Sequence, residues 1–175
     1  MSCGRCPNPS VSNNSVTCGG QTYRTVRIGS QTWFAENLNY NASGSVCYNN
    51  SSSNCAIYGR LYNWSTAMMI CPSGWHLPNK AEWDKLGDDK KKLKATSGWN
   101  SNGNGTDDYG FSALPGGYGG SDGSFDNVGN NGYWWSASEG SSSSAYGRDM
   151  YYHDDGAYWD YNFKYYLFSV RCVQD

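Results

Sequence analysis

The stretch Ala145-Tyr146-Gly147-Arg148-Asp149-Met150-Tyr151-Tyr152-His153-Asp154-Asp155-Gly156-Ala157-Tyr158-Trp159-Asp160-Tyr161-Asn162-Phe163 decides how this chain is read. Asp154-Asp155-Gly156 is turn chemistry between two aromatic-rich runs, the pattern of a β-hairpin. Successive side chains of a strand face opposite ways. With Tyr146, Arg148, Met150 and Tyr152 turned inward, Gly147, Asp149, Tyr151 and His153 turn outward. Residues 146–166 hold seven tyrosines with Trp159 and Phe163, interleaved with Asp149, His153, Asp154, Asp155, Asp160 and Asn162. Rings beside carboxylates and amides are paratope chemistry: tyrosine offers contact area at low entropy cost, and Asp and Asn add hydrogen bonds. The sequence therefore nominates Gly147, Asp149, Tyr151, His153, Asp154, Tyr158, Trp159, Asp160, Tyr161, Asn162, Phe163 and Tyr165 as ligand-binding residues. The competing reading is that these rings complete a core short of aliphatic side chains.

Outward from this hairpin, residues 132–138 and 168–173 read as further strands. Near the start, Tyr23-Arg24-Thr25-Val26-Arg27-Ile28, Gly29-Ser30 and Gln31-Thr32-Trp33-Phe34 predict a second hairpin. Residues 1–20 read as a polar lead-in and 21–175 as one domain. Two helices are expected. One covers residues 61–69, where Leu61, Trp64 and Met68 recur at helical spacing. The other follows Pro78, with Asn79 and Glu82 as a capping box, Trp83 and Leu86 facing the core, and Gly87 at its end. Residues 39–56 and 96–126 read as long loops, rich in Ser and Asn and in Gly and Asn respectively.

The composition supports a folded domain of unusual kind. Leu, Ile, Val and Phe supply only 22 of 175 residues, but 8 Trp and 15 Tyr supply the missing apolar area. A net charge of −2 argues against nucleic acid as partner, because phosphate binding needs a clustered basic surface. Lys90-Lys91-Lys92 with Lys94 reads as a solvated charge run. No apolar run reaches membrane-spanning length, and the first residues lack the pattern of a secretory signal.

Seven cysteines in a Ser/Asn/Gly-rich chain point to an oxidising compartment. The preferred pairs are Cys47–Cys55 and Cys71–Cys172, and the third joins Cys18 to Cys6 or Cys3. Zinc at Cys3-Gly-Arg-Cys6 lacks a second ligand pair. Cys3 also fits the lipidated first residue of a bacterial lipoprotein. No catalytic motif of the nucleophile-elbow, phosphate-loop or zinc-protease type occurs. His76, between Trp75 and Leu77, reads as a structural histidine. The chain is therefore read as a non-enzyme with no cofactor. Residues 100–108 (Asn100, Asn102, Asn104, Thr106, Asp107 and Asp108 among them) are oxygen-rich enough to be a candidate for structural calcium, though without EF-hand spacing; the plainer reading is an Asn/Gly turn loop.

Six ordered motifs carry a family resemblance. They are Val26-Arg27-Ile28-Gly29-Ser30-Gln31-Thr32-Trp33-Phe34-Ala35-Glu36-Asn37-Leu38, Tyr58-Gly59-Arg60-Leu61-Tyr62-Asn63-Trp64, Cys71-Pro72-Ser73-Gly74-Trp75-His76-Leu77-Pro78, Gly110-Phe111-Ser112-Ala113-Leu114-Pro115-Gly116-Gly117, Gly132-Tyr133-Trp134-Trp135-Ser136 and Phe168-Ser169-Val170-Arg171-Cys172-Val173. Together they closely resemble the Fibrobacter succinogenes major paralogous domain. The resemblance implies an α+β, C-type lectin-like fold with a twisted antiparallel sheet, two helices and long loops. It is similar in outline to the formylglycine-generating enzyme domain and to the variable proteins of diversity-generating retroelements. The formylglycine enzyme's reactive cysteines are not expected here, where Cys71 and Cys172 read as a bridge.

The function this implies is a secreted or surface module, or a phage receptor-binding protein, whose partner is a protein or glycan on another cell. A structural surface module without a ligand and a calcium-assisted lectin are the alternatives. A fold match predicts architecture better than function.

Overall fold

The computed structural model describes residues 5–7, 9–87 and 89–175. In chain order the strands are β1 (Ser10–Ser12), β2 (Ser15–Cys18), β3 (Gln21–Ile28), β4 (Gln31–Phe34), β5 (Ser45–Val46), β6 (Leu61–Tyr62), β7 (Trp75–His76), β8 (Gly116–Gly119), β9 (Phe125–Val128), β10 (Asn131–Glu139), β11 (Ser144–Tyr151), β12 (Ala157–Phe163) and β13 (Val173–Gln174). The helices are α1 (Ser52–Tyr58), α2 (Trp64–Ile70) and α3 (Lys80–Asp84). The chain is thus mostly β with three short helices, an α+β architecture.

Both predicted hairpins form. β3 and β4 pair antiparallel around Gly29-Ser30, with Ile28 opposite Gln31. β11 and β12 pair antiparallel around the 152–156 turn, with Met150 opposite Ala157. Two larger sheets result, one ordered β1-β2-β3-β4-β13-β7 and one ordered β12-β11-β10-β8-β9. In the first, Val173 near the end of the chain pairs with Trp33 near its start.

Trp134 and Trp135 show how the aromatics build the interior. As neighbours in β10 they point to opposite faces. Trp134 joins Trp33, Trp83, Phe111 and Met150 in one core, and Trp135 joins Phe34, Trp75, Phe168 and Val170 in another. Ring packing holds both: Trp33 lies 4.9 Å from Trp83, and Trp135 stacks on Phe168 at 4.3 Å. Aromatic pairs at such distances add about 0.5–1.5 kcal/mol beyond area burial.

Several expectations are corrected. The polar lead-in contributes strands β1 and β2, and Cys6, Val16 and Cys18 are buried in the second core. Among the described residues there are three α-helices rather than two. α1 rises from the Ser/Asn-rich loop, a segment without apolar periodicity that the Cys47–Cys55 bridge ties back on itself. The helix expected over 61–69 begins only at Trp64, because Leu61 and Tyr62 pair with Ser45 and Val46 and Asn63 caps the helix by accepting from the Thr66 N–H. The lysine run is not a solvated face: Lys90 and Lys94 are buried. A 3-10 turn over Lys90–Lys92 folds that segment under, and Lys94 Nζ donates to the carbonyls of Tyr151 at 2.6 Å and Asp154 at 2.5 Å.

The disulfides are Cys6–Cys18, Cys47–Cys55 and Cys71–Cys172. Cys3 lies outside the described residues, as do the zinc and lipidation readings that depend on it. Among the described residues no helix is long and apolar enough to cross a membrane.

α3 carries the predicted capping box. Asn79 Oδ1 accepts from the Glu82 N–H at 3.0 Å, and Glu82 Oε2 accepts from the Asn79 N–H at 2.9 Å. The other Glu82 oxygen meets His76 Nε2 at 2.8 Å, while His76 Nδ1 meets Asp175 Oδ1 at 2.6 Å. Burial pushes the His76 pKa down, but the two carboxylates outweigh it and hold it above the ordinary histidine value. A raised folded pKa stabilises fully below about pH 6.5, and the contribution is lost as pH rises through the raised value. The groups are partly exposed, so the effect is under about 1 kcal/mol, or about 2–4 °C. The Tm gap between the protein and His76→Gln should therefore shrink between pH 5.5 and pH 8.5. A gap independent of pH would count against a charged His76.

Candidate functional site

The five-stranded sheet β12-β11-β10-β8-β9 is open on part of one face, and there it forms a cavity of about 220 Å³. Every strand contributes. Tyr118 comes from β8, Asn127 from β9, Tyr133 from β10, Asp149 and Tyr151 from β11, and Asp160 and Asn162 from β12. Tyr166 and Phe168 follow from the returning chain. The register explains the convergence: Tyr133 sits opposite Asp149, Asp149 opposite Tyr158, and Gly147 opposite Asp160, so their side chains share a face.

Rings form the walls. Tyr118 meets Tyr133 at 5.3 Å and Tyr166 at 5.7 Å, both edge-on, and Tyr133 stacks on Phe168 at 5.3 Å. On the other side Tyr151 stacks on Tyr158 at 5.2 Å and on His153 at 5.7 Å. The floor is Gly147. A methyl group there would lie 2.9 Å from Asn162 Nδ2, 3.1 Å from the Phe168 ring and 3.3 Å from Asp149 Oδ1. Asp149 and Asn162 thus reach into the cavity across a residue with no side chain.

The polar atoms of the floor are poorly matched within the protein. Asp149 is 1% exposed, and its Oδ1 has no hydrogen-bond partner. Its Oδ2 has a long 3.5 Å contact from the Tyr151 hydroxyl. Asn162 Nδ2 also has no acceptor. Burial, then the neighbouring Asp160 carboxylate, push the Asp149 pKa up to about 8, against the weaker opposing pull of Tyr151 and Arg148. Burial and the Asp149 charge likewise push the Tyr151 hydroxyl well above its usual range. Tyr133 Oη accepts from Asn127 at 3.1 Å and Asn131 at 2.7 Å, which leaves its own O–H to donate.

A larger cleft of about 480 Å³ lies beside β3 and α1. Its charges are already answered. Arg24 Nε meets Glu36 at 2.7 Å, and Arg171 makes four hydrogen bonds, to Asn37 and to backbone carbonyls. The smaller cavity, with its unmatched carboxylate, is the better candidate site.

The structure divides the nominated residues. Asp149, Tyr151, Asp160 and Asn162 line the cavity, Gly147 floors it, and Tyr158 and His153 extend its ring wall. The inference that Asp149 and Gly147 face solvent is corrected: their alternation is right, but Tyr133, Phe168 and Tyr151 cover them, and both are buried. Trp159 lies on the other face, where its Nε1 donates to Asp84 at 2.9 Å and Arg148 stacks on its ring. Tyr161 pairs there with Tyr146, beside Lys80. Asp154 shapes the turn, accepting from the Gly156 N–H and the Tyr158 hydroxyl. Phe163 and Tyr165 stack on one another beyond the cavity at 5.1 Å. At 43% for Tyr158, 61% for Tyr161, 49% for Phe163 and 50% for Tyr165, these rings are exposed and do not complete the core. Tyr118, Asn127, Tyr133, Tyr166 and Phe168 were missed, since they come from segments whose proximity only the sheet order creates.

In the loop weighed for calcium, Asn104 Oδ1 accepts from the Trp99 N–H, and the Asp107 carboxylate accepts from the Ser112 N–H and hydroxyl. Among the described residues no group of three or more His, Cys, Asp or Glu side chains could hold a metal ion.

Three bridges, two aromatic cores and an acid-floored cavity on an open sheet define a disulfide-stapled α+β domain with a concave polar-aromatic site. The Fibrobacter succinogenes major domain matches residues 26–174, and the chain belongs to that family. No curated protein and no solved structure matches it.

Proposed function

We propose that this domain is a non-catalytic ligand-binding module, displayed at a cell surface or secreted, that recognises a protein or glycan through the cavity floored by Gly147 and Asp149. One observation carries the reading: a carboxylate 1% exposed, with one oxygen unpartnered, sits at the base of a ring-walled cavity. Leaving such a group unmatched costs about 1–3 kcal/mol, so a ligand that supplies the missing donor regains that loss on binding. The three disulfides are compatible with an extracellular site of action. A C-type lectin-like fold is the architecture we favour, supported by the pairing of the chain's first and last thirds at Trp33 and Val173. The mixture of Tyr, Asp, Asn and His around the cavity also suits a retroelement-diversified receptor binder.

A glycan array run beside a whole-cell binding screen tests this. Tyr151→Ala and Asp160→Ala should each weaken every specific hit at least about tenfold, the size of a hot-spot loss, while leaving Tm within a few degrees. Hits bound equally by both variants would place recognition elsewhere. Asp149, held protonated near neutrality beside Asp160, also resembles the acid of a carboxylate pair. Glycoside turnover abolished by Asp149→Asn would replace the binding reading with a catalytic one.

A further inference from the structure

The cavity has a chemical preference that follows from what it lacks. Its lining holds two carboxylates, Asp149 and Asp160, and no lysine or arginine, with His153 lying outside it against Tyr151. Its walls are aromatic rings: Tyr118, Tyr133, Tyr151 and Tyr166. A neutral ligand would give no charge partner to the Asp160 carboxylate or to Asp149 in its ionised form. A calcium ion needs six to eight oxygens, where most of the wall is ring. An organic cation answers both features, pairing with the carboxylates while its charge rests on ring faces within about 6 Å.

We propose, building on the binding reading above, that the cavity takes a primary ammonium group on a short carbon stem, its nitrogen between the Asp149 and Asp160 carboxylates and its stem against the tyrosine rings. Such a group occurs at the end of a lysine side chain and on an amino sugar. The ammonium supplies the donor that Asp149 Oδ1 lacks, and it replaces carboxylate repulsion by attraction. Gly147 leaves the depth that the nitrogen needs.

Binding is coupled to protons. The groups facing Asp149 are Asp160 and Tyr158 from β12, Tyr133 from β10 and Tyr151 from its own strand, while Arg148 acts on it from the opposite face of the sheet. With its pKa near 8, Asp149 is largely protonated at pH 6 and largely ionised at pH 8.5. An ammonium binds the ionised form, so affinity rises with pH over that interval by at least about tenfold.

The test uses the full chain and calorimetric or NMR titration with n-butylammonium chloride, n-butanol, glucosamine, N-acetylglucosamine and calcium chloride. The expected result is saturable n-butylammonium binding, with Kd on the order of a millimolar for so small a probe, and none for n-butanol. With each affinity referred to the protonated fraction of its amine at the same pH, glucosamine binding more tightly than n-butylammonium assigns the natural source to an amino sugar, and the reverse order to a lysine side chain. Asp149→Asn, which removes the charge and keeps the shape, should weaken n-butylammonium at least about tenfold and abolish the pH dependence. Gly147→Ala should block the floor, and Asp160→Asn, at a more exposed position, serves if Gly147→Ala does not fold. Equal binding of n-butanol, saturable calcium binding at this site, or no effect of Asp149→Asn overturns the proposal. If ammonium fails while Tyr151→Ala still abolishes cell or glycan binding, only the cation assignment falls. If both fail, the site falls with it.

Discussion

Replacing Cys71 and Cys172 together by alanine is expected to lower the unfolding free energy by about 4–5 kcal/mol, the largest effect of any change considered for this protein. The bridge links residues 101 apart in sequence, and a loop of that length carries about 4.7 kcal/mol on the chain-entropy account. Both sulfurs are buried in the same core as Phe34, Trp75 and Phe168, so no exposed cysteine accompanies the loss. At about 2–4 °C per kcal/mol for a chain of this size, Tm should fall by about 8–20 °C. Cys47→Ala with Cys55→Ala, which opens a loop of separation 8, should cost markedly less. Differential scanning calorimetry of both double variants decides it; equal losses would contradict the loop-length account.

The second large effect belongs to Arg171. It is fully buried without a carboxylate partner, and Asn37 Oδ1 accepts from its Nε at 2.6 Å. Carbonyls of Phe34, Phe111 and Ser112 accept at 3.0, 2.5 and 2.9 Å. Burial draws its pKa down to about 9, which leaves it charged at neutral pH. The guanidinium lies 4.4 Å from the Phe111 ring centre and ties the segments around Phe34 and Phe111 to its own. Arg171→Met removes every donor and strands those acceptors, at an expected cost of about 3–5 kcal/mol. Arg171→Lys keeps a charge but not the planar fork, and should recover only part of the loss. Urea unfolding measures both. A loss under about 1 kcal/mol for Arg171→Met would mean that water re-satisfies the carbonyls.

What the sequence made legible was local. Gly29-Ser30 and Asp154-Asp155-Gly156 announced their hairpins because turn backbone demands those residues. Asn79 and Glu82 announced α3 because a helix start needs acceptors. The period of two correctly put Asp149 and Tyr151 on one face. It could not say what covers that face, and so a buried acid was read as an exposed one. α1 escaped because Ser52-Ser53-Asn54 shows no apolar rhythm. Half of the cavity escaped for a topological reason: Tyr118 and Tyr133 reach Asp149 only through the order β11-β10-β8. Arg171 gave no local sign either, since its acceptors are carbonyls that any sequence carries.

Lys94 holds the tip of the β11–β12 hairpin by two main-chain carbonyls rather than by any side chain. An anchor of that kind is blind to residue identity. The exposed side chains of His153 and Asp155 can therefore be exchanged while the loop keeps its path. Selection or a randomised library can rewrite this rim of the domain with the scaffold beneath it left intact, which is the property wanted of a site for grafting new specificities.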